Sequence, residues 1–536
     1  MTPDAPPQKL YRLLMLLAAG TFLALISAGL GVREFWTDEI ITAGHVRTLA
    51  STADAFHPRG FYVLLYGWKQ IFGDSDLALR AFSVPWAMLA FVLAWAISSR
   101  LLKPGQTALA LWLIALSPFL ILYFRMARFY SLVTALVLLV AYCAVLVAQV
   151  GKRRHWVALA VVSPSLVYTN YLAALLLGPL FLWLGWINWR RGQVWRLLTA
   201  MAPTAVAAVS VGAWVLRVTG NISAIEAGAA HASLSHVLLR LVLPPFILAV
   251  GETTDPWRIW MTLPAFAAAA GFFILGLVSS PREAAWAPLR WSWLISVVVA
   301  AAVLTTIARG EPLSAAARST IFAAPLAYML MAVGATRIGT KSLRAAAIAV
   351  LLVANVYGLR NYFAGTQFLN PGYAVPWREI VTTIQQREQP GDLVLAFFES
   401  TPGRYGEFGR FITGRPDYAP HELEPVENWP GGGFRLWLIG RDRGSAEARR
   451  LQETTVKHLT PRAARVEITR FMPYSPMDRK FRSFFLRRPV PESHITVYLF
   501  IPPDEPRAPE DAPRFLTGGR APSDRTRPTH PEQDTL

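Results

Sequence analysis

Two adjacent carboxylates, Asp38 and Glu39, follow directly after the first long apolar run of the chain, within EFWTDEIITAGH (Glu34–His45). An idle charge is disfavoured where water meets an apolar phase, so a carboxylate there is a candidate general base or metal ligand. The local pattern also predicts a helix start, with Thr37 as the N-cap and both acids in the first turn. The two interpretations are compatible, and they make Asp38 and Glu39 the candidate catalytic residues.

A second candidate site is the segment YFRMARFY (Tyr123–Tyr130), in which Arg125 and Arg128 share a face if the segment is helical. Two guanidinium groups offer forked donors that match phosphate oxygens, and the hydroxyl of Tyr130 adds a further donor. Arg318 precedes a late apolar run in a similar position. Arginines that only anchor a span at the interface are the alternative. Taken together, these residues favour a site for an anion.

Five further residues are weaker candidates for substrate binding. His57 and Arg59 belong to an HPRG segment, which serves equally well as a loop corner. Arg80 follows two aspartates and is most simply explained by a local ion pair. Asn170 and Tyr171 interrupt a long apolar run, where irregular backbone at membrane depth should face a cavity or protein.

A metal site has little support in the sequence. Glu226, His231 and His236 lack tight ligand spacing, and the single cysteine, Cys143, lies within an apolar run. One cysteine excludes both a disulfide within the chain and a cysteine metal cluster. The sequence predicts no certain cofactor and leaves a divalent metal open. It also lacks a GxxxxGK[ST] loop, a GxGxxG turn after a strand and an HExxH pair, so nucleotide binding at a glycine-rich loop has no support.

The composition identifies the surroundings in which these residues work. Of the 536 residues, 54% are hydrophobic, 16% are charged and 19 are tryptophan. This is far from the composition of soluble domains and predicts an integral membrane protein. The net charge of +18 does not indicate nucleic acid, because the arginines fall in short clusters between apolar runs, as the positive-inside rule predicts.

Apolar runs of about twenty residues, long enough to cross the hydrocarbon core, predict about eleven transmembrane helices. The first run is too long, and lacks the cleavage site, for a removable signal peptide. The run 156–188 is divided at Tyr168–Tyr171 into two short helices, and residues 237–250 are interpreted as an interfacial or re-entrant segment. The predicted spans are 13–32, 79–98, 107–124, 129–149, 156–168, 171–188, 197–217, 258–278, 291–307, 319–336 and 343–359.

This arrangement places the basic clusters on one side, which is assigned as cytoplasmic, and the candidate residues on the other. The first outer loop, 33–78, mixes polar and apolar patches and predicts interfacial helices that form a lid over a cavity. Residues 1–360 are the predicted transmembrane module. Residues 361–505 are predicted to form a small soluble α/β domain on the outer face, and 506–536 a disordered tail.

Within the outer domain, the patterns predict a helix over 375–384 and strands over 392–398, 434–439 and 495–500. The predicted fold class is thus a polytopic α-helical membrane protein with a small C-terminal α/β domain.

The order of the motifs resembles that of polytopic GT-C glycosyltransferases. The closest resemblance is to the bacterial protein O-mannosyltransferases and lipid A aminoarabinose transferases, a glycosyltransferase family 39-like group, and it covers roughly residues 10–400. The matching features are the acidic pair after the first span, a His-Pro loop, GDSDLALR (Gly73–Arg80), SPFLILYFRMARFY (Ser117–Tyr130), YTNY (Tyr168–Tyr171), an arginine before a late span, and WREI followed by PGDLVL.

The resemblance implies transfer of a sugar, with inversion, from a polyprenyl-phosphate donor to an acceptor glycan, lipid or protein. It also implies that the reaction takes place on the outer face of the cytoplasmic (inner) membrane, among membrane lipids and without nucleic acid. Asp38 and Glu39 stand where the family has its acidic pair, and Arg125, Arg128 and Tyr130 match its RxARxY segment.

Two departures from the family pattern concern substrate and metal contacts. The usual HPPL is His57-Pro-Arg-Gly60 in this chain, which alters contacts to the donor or the acceptor. The usual YTHY is Tyr168-Thr-Asn-Tyr171, which removes a histidine available as a metal ligand.

Two other functions compete with a transferase. A transporter or flippase typically shows inverted repeats and charged, broken helices at mid-membrane, whereas the unusual charges of this chain lie at the predicted outer mouths. A membrane scaffold would give the charged residues Asp38, Arg125 and Arg128 no function. Both features favour the enzyme.

Overall fold

The computed structural model describes residues 8–54, 57–226, 234–278, 286–307, 315–370, 373, 375–389, 392–396, 435–441, 446–471, 480, 483 and 494–503. The chain divides into two compact units, one of residues 1–376 with 473–492 and one of residues 377–472 with 493–536. The predicted tail 506–536 lies outside the described residues. The predicted boundary near residue 360 stays a prediction.

The first unit is helical. Its described helices, in chain order, are α1 (Gln8–Ser27), α2 (Thr37–His45), α3 (Gly60–Phe72), α4 (Asp76–Ala81), α5 (Ser83–Leu101), α6 (Pro104–Ala115), α7 (Pro118–Phe124), α8 (Tyr130–Gln149), α9 (Arg153–Thr169), α10 (Tyr171–Ala174), α11 (Leu177–Arg190), α12 (Val194–Glu226), α13 (Leu234–Val250), α14 (Ile259–Val278), α15 (Trp286–Ile307), α16 (Ala315–Ser319), α17 (Ala324–Ala335) and α18 (Lys341–Ala364). Two short 3₁₀ helices lie at Ser51–Asp54 and Ile321–Ala323.

The apolar helices make the protein a multi-pass membrane protein. Within the described ranges, seven helical segments are long and apolar enough to cross a membrane, and the bent pair α6–α7 raises the number to eight. Every predicted span overlaps helical residues, but 107–124 is divided between α6 and α7, 171–188 between α10 and α11, and 319–336 between α16, a 3₁₀ helix and α17. The predicted count of about eleven spans stays a prediction, as does the re-entrant role of residues 237–250, which lie in α13.

The core of the first unit is built from helices that are apolar on all sides. Every residue of α7 and of α17 is buried, as expected for a helix surrounded by other helices. Glycines allow the closest contact, between α14 and α17, since a Cβ on Gly276 or on Gly334 would collide with the backbone of the opposite helix. Small residues of this kind let helix backbones touch within a membrane.

A bend between α6 and α7 shapes one end of the core. The two helices meet at 55°, where Ser117 caps α7 by accepting from the backbone N–H of Leu120 at 3.1 Å. Pro118 follows as the first residue of α7, a position that proline favours. Because α7 ends at Phe124, residues 125–129 form a turn that leads into α8.

The predicted helices of the first outer loop are present as α2 and α3, with α4 at the end of the loop. Gly60 begins α3 at a close approach, because a Cβ there would lie 2.7 Å from the carbonyl oxygen of Tyr168. The HPRG segment therefore packs directly on the end of α9. The two segments that depart from the family pattern are in contact with each other.

The second unit contains α19 (Trp377–Gln385), α20 (Ala446–Leu459) and the strands β1 (Leu393–Ala396), β2 (Leu436–Arg441), β3 (Arg465–Phe471) and β4 (Ile495–Ile501). The described strands form a sheet of order β1-β2-β4-β3, in which β1 and β2 are parallel and the other pairs antiparallel. Leu436, Leu438, Leu459 and Phe500 form its apolar core. The predicted helix and strands are confirmed, and α20 and β3 were not predicted.

Candidate active site

Asp38 lies between two arginines of the first unit. Its Oδ2 is 3.1 Å from Nη1 of Arg318 and 3.5 Å from Nη2 of Arg128. Arg128 also donates to the backbone oxygen of Asp38 at 3.2 Å and to Oγ1 of Thr42 at 2.9 Å. The carboxylate is 22% exposed, whereas the Arg128 side chain is only 7% exposed. Asp38 therefore stands at the accessible edge of a buried cationic pair.

Both guanidinium groups are held in the charged form. Burial lowers the pKa of Arg128 and of Arg318, but the neighbouring carboxylate of Asp38 raises it, and the net pKa of each lies above its usual value. Two positive charges face one negative charge, so the site carries a local excess of positive charge. In the described part of the chain, Nε of Arg128 has no hydrogen-bond partner. The arrangement is suited to binding a further anion.

Aromatic residues form the walls of this site. The guanidinium of Arg318 lies 5.4 Å over the ring of Trp36, and Arg128 is within hydrogen-bonding reach of the hydroxyls of Tyr62 and Tyr130. The Tyr130 ring packs edge-on against Tyr123 with 4.8 Å between centroids. Phenol and indole rings provide a rigid surface with hydroxyl donors at its edge.

Glu39 is turned away from Asp38 and is 1% exposed. Its carboxylate receives two hydrogen bonds from Arg80, at 2.6 and 2.8 Å, and one from the backbone N–H of Ala127 at 2.8 Å. Consecutive residues of a helix project about 100° apart, which separates the two carboxylates. The predicted ion pair of Arg80 with its neighbouring aspartates is therefore replaced by a pair with Glu39.

The Arg80–Glu39 pair joins the first outer loop to the turn after α7. Arg80 donates to the carbonyl oxygens of Leu30, Arg33 and Glu34, while Glu39 holds the turn at Ala127. The pair thereby fixes α2, which carries Asp38, against the turn that carries Arg128.

Arg125 does not join Arg128. It donates to the hydroxyl of Tyr362 at 2.9 Å and to the carbonyl oxygen of Leu25 at 2.6 Å. The prediction of a shared helical face fails because residues 125–129 form a turn. Arg125 instead lines a separate small pocket of about 30 Å³, together with Arg33, Tyr362 and Tyr373. Trp36 lines this pocket as well and also lies under Arg318.

Comparisons with known proteins were made by sequence and by structure. Residues 57–215 match the model of the family described as dolichyl-phosphate-mannose-protein mannosyltransferase. No relative was found among curated proteins.

The chain is similar in structure to ArnT from Cupriavidus metallidurans. The apo crystal structure of that protein is 11% identical, with a TM-score of 0.53, and the match covers 90% of this chain and 97% of that chain. The structure of the same protein bound to undecaprenyl phosphate is 12% identical, with a TM-score of 0.50 and the same coverage. The chain has a GT-C fold. The resemblance predicted from the order of the motifs is confirmed.

Within this GT-C fold, His57 lies beside the Asp38 site, whereas the contacts of Arg59 are within its own loop. His57 packs against Phe129 with ring centroids 4.7 Å apart. Burial, then the charges of Arg128 and Arg318, lower the pKa of His57 well below its usual value, so it is neutral. Arg59 donates to Oγ1 of Thr52 at 2.8 Å and to a carbonyl oxygen of the same loop, which fixes the loop.

Asn170 is the N-cap of a short helix. Its Oδ1 accepts from the backbone N–H of Ala173 at 2.9 Å and so caps α10, which begins at Tyr171. A residue that replaces the family histidine thus serves as a helix cap.

The described residues contain no group of three or more His, Cys, Asp or Glu side chains placed to hold a metal ion. His231 lies outside the described residues, as do the side chains of Glu226 and His236. Asp38 itself faces two guanidinium groups, which repel a cation.

A buried cluster around Glu252 was missed by the sequence analysis. Oε1 of Glu252 accepts from the hydroxyl of Tyr123 at 2.5 Å, and the hydroxyls of Tyr123 and Tyr373 are 2.9 Å apart. Burial raises the pKa of Glu252 to about 7, although the hydrogen bond from Tyr123 and the charge of Arg318 lower it. The available signal was a carboxylate that follows an apolar helix within the predicted outer region.

Proposed function

We propose that this protein is an inverting glycosyltransferase that moves a sugar from a polyprenyl-phosphate carrier to an acceptor on the outer face of the cytoplasmic membrane. The position of Asp38 between Arg128 and Arg318 carries the proposal. The family model matched by residues 57–215 and the undecaprenyl phosphate bound by the similar ArnT give it chemical context.

The arginines bind the phosphate of the donor. A lipid-linked sugar phosphate is an anion held at headgroup depth, and two forked guanidiniums match its free oxygens. In the absence of a donor, the carboxylate of Asp38 neutralises one of the two charges. Entry of the phosphate competes for the same donors and frees Asp38 to act on the acceptor.

Asp38 then serves as the general base. The acceptor hydroxyl loses its proton to Asp38 as its oxygen bonds to the anomeric carbon, and the bond from that carbon to the phosphate oxygen breaks. Attack on the face opposite the leaving phosphate inverts the configuration. General base catalysis contributes typically 10²–10⁴-fold, and the arginines add electrostatic stabilisation of the departing phosphate.

Glu39 and Arg80 act in this proposal as positioning residues. They bind each other and the backbone of the first outer loop, and they hold Asp38 opposite Arg128. His57 and Tyr130 border the phosphate site and supply a neutral imidazole and a hydroxyl. Arg125 faces the separate pocket and contributes positive charge there.

The test compares cells that lack the gene and are complemented with wild type, Asp38→Asn or Asp74→Asn. Asp74 is the matched control, because it belongs to the same loop but is 63% exposed, with its carboxylate 3.7 Å from the ammonium group of Lys69. Mass spectrometry of envelope lipids and glycans should show that one sugar decoration disappears with Asp38→Asn, while a polyprenyl-phosphate sugar accumulates. Asp74→Asn should restore the decoration. Restoration by Asp38→Asn would leave the transporter or flippase as the better function.

A further inference from the structure

The turn between α13 and α14 holds Glu252 in a fixed position. Gly251 has φ of +82°, and a Cβ there would lie 2.6 Å from Cβ of Pro118 at the start of α7. Asn361 of α18 donates to the carbonyl oxygen of Thr253 at 2.8 Å, and the backbone oxygen of Glu252 accepts from Leu369 at 2.9 Å. The turn is thus held by its contact with α7 and by hydrogen bonds from Asn361 and Leu369, so its backbone has little freedom to move.

Two tyrosine hydroxyls connect this carboxyl group to the pocket. Glu252 is hydrogen-bonded to Tyr123 at 2.5 Å, and Tyr123 to Tyr373 at 2.9 Å. Tyr373 lines the pocket together with Trp36, and their rings meet edge-on with centroids 4.7 Å apart. A hydroxyl both donates and accepts, so such a chain can pass a proton between its ends.

The same cluster lies beside the guanidinium that binds Asp38. Arg318 interacts electrostatically with Tyr123, Tyr373 and Glu252. Trp36, which contacts Tyr373, also lies under Arg318. Arg318 therefore interacts with both the Asp38 site and the tyrosine chain, and Trp36 lies between Arg318 and Tyr373.

Glu252 has the environment of an acid that is protonated near neutral pH. It is 1% exposed, and its Oε2 has no hydrogen-bond partner in the described ranges. The titratable or charged groups that face it are Tyr123 from α7, Tyr373 after α18 and Arg318 from α16. Burial raises its pKa to about 7, which lies close to the second pKa of a phosphate monoester, about 6.

We propose that Glu252 supplies a proton, through Tyr123 and Tyr373, to the polyprenyl phosphate that leaves during sugar transfer. The inference rests on the proposed function. The donor is a phosphodiester with one negative charge, and breaking its bond to the sugar produces a phosphate dianion. The proton passes from Glu252 to Tyr123 while Tyr123 passes its own to Tyr373 and Tyr373 to the phosphate. The products are a carboxylate, two neutral tyrosines and a phosphate monoanion.

Asp38 and Glu252 then divide the acid and base work. Asp38 gains the proton of the acceptor, and Glu252 loses a proton to the leaving phosphate. Exchange with water returns both groups to their starting forms after the carrier has left. Glu252 touches no substrate itself, so it is a positioning and relay residue and not a contact residue.

The test uses infrared difference spectra of the full chain in lipid nanodiscs on addition of undecaprenyl phosphate near neutral pH. Wild type should show a protonated carboxyl band that shrinks on binding, because this carrier is partly dianionic and draws the proton. The band should be absent from Glu252→Gln and unchanged in Asp255→Asn. Asp255 is the matched control, since it is a buried acid of the same turn whose carboxylate accepts from the backbone N–H of Trp257.

A second variant separates the relay from the carboxyl group. Tyr373→Phe removes one hydroxyl and leaves Glu252 bonded to Tyr123, so the band should be present but should no longer respond to undecaprenyl phosphate. Glu252→Gln and Tyr373→Phe should each slow transfer by about 10²-fold, the low end of the contribution of acid catalysis. Each should also flatten the pH profile of the rate near neutrality.

The outcomes distinguish this inference from the proposed function. If undecaprenyl phosphate binds wild type but leaves the band unchanged, or if the band persists in Glu252→Gln, the relay is wrong and the transferase proposal stands. If wild type fails to bind undecaprenyl phosphate, both are wrong.

Discussion

Asp38 and Arg318 are 280 residues apart in the sequence and 3.1 Å apart in the structure. Their contact joins the first outer loop to the segment before α17, and Arg128 completes the group from the turn before α8. A carboxylate and a bound phosphate cannot both satisfy the same guanidinium donors. Substitutions at this contact should therefore separate binding of the carrier from catalysis.

Asp38→Asn should reduce sugar transfer by about 10²–10⁴-fold, because an amide cannot take the proton of the acceptor. The same substitution should tighten binding of undecaprenyl phosphate, since the competing carboxylate is gone. Binding to purified protein in nanodiscs and transfer in membranes check the two effects, with Asp74→Asn as the control. A parallel loss of binding and transfer would argue against competition at the arginines.

Arg318→Lys should weaken binding of undecaprenyl phosphate by about 10- to 100-fold, equivalent to about 1.5–3 kcal/mol for a hydrogen bond to a charged group. Lysine keeps the charge but lacks the planar fork. The matched control is Arg258→Lys. Arg258 also belongs to a loop, and its guanidinium lies over an aromatic ring, that of Tyr357. If wild type, Arg318→Lys and Arg258→Lys bind undecaprenyl phosphate with equal affinity, Arg318 does not bind the phosphate.

Glu39→Gln should destabilise the fold by about 3–5 kcal/mol, the usual cost of breaking one partner of a buried ion pair. Arg80 would keep its bonds to backbone carbonyls but lose its counter-charge. Thermal unfolding in detergent measures the loss. Because the two residues act as a unit, the double variant Glu39→Gln/Arg80→Gln should cost less than the sum of the single variants. Additive losses would show that the pair is not coupled.

Gly60→Ala should lower the unfolding temperature and impair transfer, because the new methyl group would lie 2.7 Å from the carbonyl oxygen of Tyr168. Gly67→Ala in the same helix meets nothing within 4 Å and should stabilise the helix by about 1 kcal/mol through its propensity. Thermal unfolding and transfer assays of both variants check the pair. Similar behaviour of the two would mean that the loop does not depend on its contact with α9.

Glu252 should make the stability of the protein depend on pH. Its pKa is raised to about 7 in the folded state from the ordinary 4.5, so between these values the folded state holds a proton that the unfolded chain releases. Stability therefore falls as pH rises through this window, by at most about 3 kcal/mol, and is level above it. The fall of the unfolding temperature between these pH values should be absent from Glu252→Gln. It should be present in Asp255→Asn, as in wild type.

Much of the fold could be predicted from local patterns. Each predicted span overlaps helical residues, although 107–124, 171–188 and 319–336 each cover more than one helix. The acids after the first span do lie in the first turn of a helix, but the predicted N-cap Thr37 is wrong by one residue, because Trp36 is the N-cap of α2. Apolar run length and terminal residues report on local structure directly. β3 was missed because Arg465, Glu467 and Arg470 lie within the strand, and its pairing with β4 depends on a partner distant in the chain.

The site was less predictable, because it depends on where side chains point. Nothing in the sequence shows that Asp38 faces Arg318 while Glu39, one residue later, is buried against Arg80. Arg125 and Arg128 point to different places because α7 ends at Phe124, before both of them. The apolar pattern continues across this point, so the sequence does not show where the helix ends. Such facts belong to tertiary packing, and local spacing does not determine them.

The contact between α14 and α17 has a mechanical consequence. With backbone against backbone at Gly276 and Gly334, the two helices leave no gap for a lipid tail to enter between them at that level. Because α17 begins soon after Arg318, two helices that cannot separate also limit how far that arginine can move.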